Sequence, residues 1–356
     1  MSLSALRQKL VDHTRAIFAL DARRREAFAM TMLDLVRGAE VSDCRLAQIC
    51  GVSPNQADSN AAAQGEGPRE RAQRLARPII VPGGSNRKAT AIISFRGVVL
   101  YDYEYQPYAV SALMFAQTVE ALAADDNIGA IVVDMDSPGG VVTGVKEAAD
   151  ALFAARKAGK TTVVLVNPLS ASAGYWIASQ AGEVIGVPSC EVGSVGVFML
   201  HLDYSQFLAE AGIKPTFIFS APYKVEGNSF EPLSEETKAQ WQIECDACYQ
   251  DFLDAVARGR EIDADKVRSA FGEGRTKTAD DAKRSGMIDR IDTIAGAFRR
   301  VGIVVMEGNS LRRVEADSGG VAASESAEEP QAPADERDER RQTRMKGRLA
   351  LAHHAD

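Results

Sequence analysis

The sequence predicts an α/β protein built on a mostly parallel sheet, and three observations carry that expectation. From about Pro78 to Arg300, short β-branched runs alternate with longer segments of helical periodicity, which is how strand–helix–strand units read. The runs are apolar almost throughout, as in Ile128-Gly-Ala-Ile-Val-Val-Asp, so both faces of the sheet should be covered. The composition agrees: 356 residues, 46% hydrophobic and 25% charged, suit a soluble globular chain with one large domain plus appendages, or two domains.

Taken in order, residues 1–53 read as a helical N-terminal extension. Leu6, Leu10, Ile17, Leu20, Phe28, Met32, Leu35 and Val36 recur at mostly helical intervals among charged residues. Leu46-Ala-Gln-Ile-Cys-Gly-Val-Ser-Pro has the opening of a helix-turn-helix, but Asn60-Ala-Ala-Ala-Gln-Gly-Glu-Gly-Pro stands where its second helix should be, so that likeness is set aside. The Gly-, Pro- and Asn-rich stretch that follows places a linker over 54–88.

The main domain is expected over 89–303. Its strands are Ala91-Ile-Ile-Ser-Phe, Ile128 to Asp134, Thr161-Thr-Val-Val-Leu-Val, Val184-Ile-Gly-Val and Thr216-Phe-Ile-Phe; its helices are Ala112 to Ala124, Gly144 to Ala158, Tyr204 to Ala211, Ser234 to Arg258 and Ala279 to Ser285. Residues 304–356 run through Ser318-Gly-Gly and Asp335-Glu-Arg-Asp-Glu-Arg-Arg with almost no bulky apolar side chain. Such a tail cannot bury enough surface to offset its ordering entropy and is expected to be disordered.

A formal charge of −8 leaves no basic excess to neutralise a phosphate backbone, so no nucleic-acid partner is expected. No apolar run reaches the ~20 residues of a spanning helix and the first ten residues lack a secretory signal core, so the expected location is the cytoplasm, with no membrane partner. Cys245 and Cys248 form a C-x-x-C and Cys44 and Cys50 a wider pair. No histidine lies near either at zinc-ligand spacing, so no metal and no other cofactor is expected.

Three places could carry chemistry. Asp136-Ser-Pro-Gly-Gly follows the most hydrophobic strand and precedes a helical pattern over Val141 to Ala158; glycines at such a turn let backbone N–H groups approach a ligand, as an oxyanion hole requires, or simply make a tight turn. In Asn167-Pro-Leu-Ser-Ala-Ser-Ala-Gly-Tyr-Trp-Ile-Ala, small residues surround Ser172 ahead of an amphipathic helix. There a serine can be a nucleophile, and either Ser170 or Ser172 can equally be a cap. A serine nucleophile needs a base, and His13, His353 and His354 fall outside the main domain. His201 is one candidate; Lys224, in a glycine-containing loop, is another if burial keeps it neutral.

Asp136-Ser-Pro-Gly-Gly, Leu169-Ser-Ala-Ser-Ala-Gly-Tyr-Trp-Ile-Ala, Val192-Gly-Ser-Val-Gly-Val and Tyr223-Lys-Val-Glu-Gly-Asn together resemble the signal peptide peptidase A family of serine proteases, over about Ile92 to Ile291. The resemblance implies that Ser172 is the nucleophile and Lys224, fifty-two positions later, the general base; that Ser194 helps hold the lysine; and that Gly139 or Gly140 with Ala173 donates to the oxyanion. It also implies the ClpP/crotonase-type spiral α/β fold, a homo-oligomer and a peptide or protein substrate. The N-terminal extension, the Ala257-Arg-Gly-Arg and Gly274-Arg-Thr-Lys-Thr segments and the polar tail look more like the phage branch, which processes capsid and scaffold proteins during head assembly, than like a stand-alone cytoplasmic peptidase. Two other classes share the fold pattern: a crotonase-type acyl-CoA enzyme, for which loss of Lys224 should not matter, and a non-catalytic assembly factor, which would tolerate loss of both Ser172 and Lys224.

Overall fold

A computed structural model describes residues 18–20, 77–83, 87–102, 109–305 and 311–313. Most of the expected N-terminal extension, most of the linker, nearly all of the tail, and His13, Cys44, Cys50, His353 and His354 lie outside the described residues.

In chain order the elements are β1 (Phe18–Leu20), β2 (Ile79–Val81), β3 (Ala89–Arg96), β4 (Val98–Leu100), β5 (Ala109–Ser111), α1 (Ala112–Ala124), β6 (Ile128–Ser137), β7 (Gly139–Val141), α2 (Val145–Lys157), β8 (Thr161–Ala171) and α3 (Ala173–Ala178). There follow β9 (Glu183–Gly186), β10 (Glu191–Gly193), α4 (Ser205–Glu210), α5 (Glu235–Arg260), α6 (Ala264–Ala270), β11 (Thr276–Thr278), α7 (Ala279–Ser285), β12 (Arg290–Ile291), α8 (Ile294–Arg300), β13 (Ile303–Val305) and β14 (Leu311–Arg313).

The principal sheet runs β11-β10-β8-β6-β3-β2, with β9 beside the first half of β8 and β12 beside β9. Its β3–β6, β6–β8, β8–β9 and β8–β10 pairs are parallel, while β2 and β11 join the ends antiparallel. Consecutive buried residues Ile131, Val132 and Val133 in β6, and Val163 to Val166 in β8, point alternately to opposite faces, so both faces are covered, as expected of parallel strands. A smaller sheet, β1-β7-β4-β5, lies alongside.

The helices start where the sequence offers caps. Ser111 Oγ accepts from the Met114 N–H at 3.0 Å to open α1, and Ser234 Oγ accepts from Thr237 N–H at 3.1 Å to open α5, whose first turn carries Glu235 and Glu236 at the positive end of the helix dipole. Trp176 of α3 stacks on Phe252 of α5 with ring centroids 4.5 Å apart, tying the long helix to the core. Where α5 ends, Gly259 lies so close to α3 that an added Cβ would stand 2.2 Å from the Ser179 carbonyl oxygen. Among the described residues no helix is long and apolar enough to cross a membrane.

Several expectations change. Phe18–Leu20, inside a helical pattern, is a strand because its backbone pairs with β7, and such tertiary pairing overrides local periodicity. Ile79–Val81 pairs with β3 inside the span assigned to the linker, and Leu311–Arg313 pairs with β13 inside the span assigned to the tail. Thr216 to Phe219 is not a strand: it is mostly exposed and no strand pairs with its backbone among the described residues, so its β-branched texture lacks the partner that makes a strand. Gly139–Val141 is a strand rather than the start of a helix, and α2 begins only at Val145 after left-handed Gly144.

Candidate active site

β6, β8 and β10 carry the motifs to one place at their C-terminal ends. Ser137 pairs across from Ser170, Ala171 pairs with Gly193, and the Ser172 N–H donates to the Gly193 carbonyl at 2.7 Å. The Ser-Pro-Gly-Gly, Ser-Ala-Ser-Ala-Gly and Gly-Ser-Val-Gly segments are therefore spatial neighbours, at the strand ends where ligands of parallel sheets sit.

Ser172 stands at the junction of β8 and α3 with φ 56° and ψ −121°, a conformation that costs a residue with a Cβ about 1–3 kcal/mol and is met mostly at functional turns. It is fully buried, and its hydroxyl meets the Gly196 carbonyl at a long 3.4 Å. Ser170, two residues earlier and still within β8, is turned to the core: its hydroxyl donates to Met135 Sδ at 3.0 Å, whereas Ser172 leaves the strand at the strained turn. The next residue after Ser172, Ala173, opens α3, where an N–H has no acceptor within the helix. All six residues of α3 are buried, so the helix expected to be amphipathic is instead enclosed on every side.

Ser137, which leads into the Pro-Gly-Gly segment, lies directly against this junction: a Cβ on Gly174 would come within 3.2 Å of the Ser137 Cβ. Gly139 has φ 91°, and Gly140 must lack a side chain because a Cβ there would stand 2.0 Å from the Val99 carbonyl oxygen. Ser137, quoted in the motif but not singled out from the sequence, is the pivot. Its hydroxyl donates to the Gly97 carbonyl at 2.8 Å and accepts the Gly139 N–H at 3.2 Å. Asp136 forms a structural pair with Arg96, Nη1 to Oδ2 3.7 Å.

Ser194 is buried, has φ 53°, and donates its N–H to the Arg275 carbonyl at 2.9 Å. It lines a cavity of about 540 Å³ that also touches Gly196, Phe198, Cys245, Tyr249 and Arg268, so the cavity and the Ser172 hydroxyl share Gly196. Cys245 and Cys248 are free thiols on α5, and burial pushes the Cys248 thiol up to about 11.

Neither candidate base hydrogen-bonds to Ser172, whose hydroxyl meets the Gly196 carbonyl. His201 Nε2 lies 2.9 Å from the Asn228 carbonyl and the ring rests edge-on against Trp241. Lys224 sits in a 3₁₀ turn over Pro222–Val225 with an exposed side chain that has no hydrogen-bonding or ionic partner among the described residues. Residues 202–236 around it contain no buried side chain, and Phe207, Ile213, Ile218, Phe219 and Tyr223 are exposed, Ile218 at 98%.

A hydroxyl on a strained strand-to-helix turn, with a free helix-start N–H behind it and a glycine strand beside it, is an arrangement that can attack and hold a carbonyl. Residues 154–303 match the family model described as Peptidase family S49. That span holds Ser172, Ser194 and Lys224, while the Pro-Gly-Gly strand lies just before it. Among the relatives, the head-tail preconnector protein GP5 of Enterobacteria phage P21 is 33% identical over 43% of this chain and 31% of its own length. The capsid assembly protease C of Escherichia phage lambda is 33% identical over 39% of this chain and 31% of its own, and Protease 4 of Salmonella typhi 28% identical over 57% and 32%. The chain thus spans about a third of the length of these curated relatives. These matches bear out the resemblance that the four motifs carry.

Proposed function

We propose that this chain is a serine endopeptidase that processes capsid or scaffold proteins during phage head assembly, acting through Ser172 and Lys224 on residues 89–303. The observation that carries the reading is the strained, buried Ser172 at the head of α3, inside the span that matches a peptidase family, with Ala173 N–H next to it and the Gly139–Gly140 strand, which lies before that span, packed on α3. The relatives named for capsid assembly and the head-tail preconnector support the phage setting. The parallel sheet with its smaller companion sheet supports the spiral fold of ClpP and crotonase-type proteins.

In this mechanism Lys224, neutral, takes the proton of the Ser172 hydroxyl as Oγ attacks the scissile carbonyl. The oxyanion is held by Ala173 N–H together with Gly139 or Gly140 N–H, the amine leaves with a proton, and water resolves the acyl-enzyme. Gly139 N–H must turn from Ser137 Oγ toward the substrate if it is the donor used. Ser194 holds the lysine. No metal and no other cofactor takes part, the substrate is a protein rather than a nucleic acid or a membrane, and the work is done in the cytoplasm.

A lysine works as a base only when desolvated, and Lys224 is exposed, with no buried side chain among residues 202–236 around it. The apolar side chains exposed around it are the kind of surface that a second copy covers, so the dyad is completed in a homo-oligomer, the arm of one subunit delivering Lys224 to the Ser172 of the next. The test is complementation. Ser172→Ala and Lys224→Ala are each inactive alone, and mixing the two under conditions that exchange subunits restores cleavage of a small peptide. Failure of the mixture to recover, with exchange shown by mass, contradicts the delivery between subunits.

A further inference from the structure

From the pairing of β1 with β7 we infer that the chain carries its own competitor for the peptide-binding edge. The inference rests on the peptidase reading and adds to it a built-in block by residues 18–20. In the smaller sheet β7 has β4 on one side and β1 on the other, and β1 is the outermost strand. The pairing is antiparallel, with Phe18 opposite Val141, Ala19 opposite Gly140 and Leu20 opposite Gly139.

Peptides enter such sites as an added strand whose main chain bonds to an exposed sheet edge. A peptide that places a carbonyl between Ser172 and the Gly139 or Gly140 N–H must run along β7, because those glycines are β7 itself and β7 packs against α3, the helix that Ser172 opens. Leu20 stands opposite Gly139, one of the two glycines assigned to the oxyanion. The place that a substrate strand needs is therefore taken by Phe18-Ala19-Leu20. This tripeptide is uncharged and lies more than a hundred residues before the strand that it covers. A three-residue strand at a sheet edge is the least secure kind of pairing, so it is suited to give way to a longer peptide.

The test uses the full chain and a fluorophosphonate probe, with the rate of labelling at Ser172 as the readout. The variant Phe18→Pro/Ala19→Pro/Leu20→Pro removes every N–H that the segment could donate. It is expected to label about tenfold faster than wild type, equivalent to about 1.4 kcal/mol. A peptide of residues 14–24 added to the variant is expected to slow labelling again, competitively, while a scrambled peptide does not. Equal rates in both proteins, with no effect of the peptide, overturn the inference. So does Ser172-dependent cleavage of the intact chain within residues 18–20, since the segment is then a substrate. A second measurement does not depend on the variant folding. In wild type, reaction of Ser172 with an extended peptidyl phosphonate should raise hydrogen exchange at Phe18–Leu20, and unchanged exchange overturns the inference. Absence of label from both proteins counts against the peptidase reading itself, whereas equal labelling of both counts against the block alone.

Discussion

Replacing Ser172 by glycine should make the protein more stable than replacing it by alanine, the reverse of the order found at ordinary positions. The reason is the backbone at φ 56°, ψ −121°, which burdens any residue with a Cβ by about 1–3 kcal/mol. Alanine keeps that strain and removes only the hydroxyl, whose one acceptor is the Gly196 carbonyl at 3.4 Å. Glycine relieves the strain but adds conformational freedom to the unfolded chain, a loss of about 0.4–1 kcal/mol. The balance favours Ser172→Gly over Ser172→Ala by about 1–2 kcal/mol, or about 3–6 °C in Tm for a folded region of this size. Paired thermal and urea melts of the two full-length variants, followed by circular dichroism, read the difference, and both variants should be inactive. If Ser172→Ala is the more stable by 0.5 kcal/mol or more, Ser172 is not held in a strained turn.

Other substitutions separate structure from chemistry. Ser170→Ala should keep activity and labelling and lower stability by about 1 kcal/mol, the worth of its bond to Met135 Sδ; loss of labelling in this variant would reverse the assignment of the nucleophile. His201→Ala should retain most of its kcat/KM on a small peptide, because its ring faces Asn228 and Trp241, and an inactive variant would make histidine the base. Asp289 is partly exposed: desolvation raises its pKa, but the Arg260 guanidinium and the Val184 N–H outweigh this and hold the carboxyl below its ordinary value. A carboxyl depressed in the folded state stabilises the fold above its unfolded pKa of about 4, and that contribution is lost as pH falls through the folded value. Asp289→Asn should therefore cost about 1–2 kcal/mol at pH 7, reduced from a fully buried pair because the side chain is 36% exposed, and the gap to wild type should close below about pH 4. A gap that persists unchanged at pH 3 argues against the ion pair as its source.

What the sequence disclosed depended on whether the responsible interaction was local. The helices Ala112–Ala124 and Ala279–Ser285 were legible to the residue, because capping Ser111 and Thr278 and the apolar spacing all act within a few positions. The buried strands β6 and β8 were legible from unbroken β-branched runs. Three-residue strands such as Val98–Leu100 and Gly139–Val141 were not, since nothing in a pair of glycines tells that the Val99 backbone will lie against them. Phe18–Leu20 was misread for the same reason: its strand conformation comes from a partner far along the chain. At the site, the choice of Ser172 over Ser170 came from motif resemblance, whereas the structure gives it a local cause: Ser170 stays in β8 and bonds to Met135, while the backbone of Ser172 turns out of the strand at φ 56°. The exposure of Lys224 was invisible, because spacing in sequence says nothing about burial.

The central claim is that Ser172 is the nucleophile of a peptidase. It is tested most directly by treating the full-length protein with a fluorophosphonate, digesting it and mapping the adduct by mass spectrometry, with Ser172→Ala alongside. One adduct is expected, on Ser172, absent from Ser172→Ala and formed far more slowly in Lys224→Ala. An adduct on Ser170 or Ser194, or label that persists in Ser172→Ala, would contradict it.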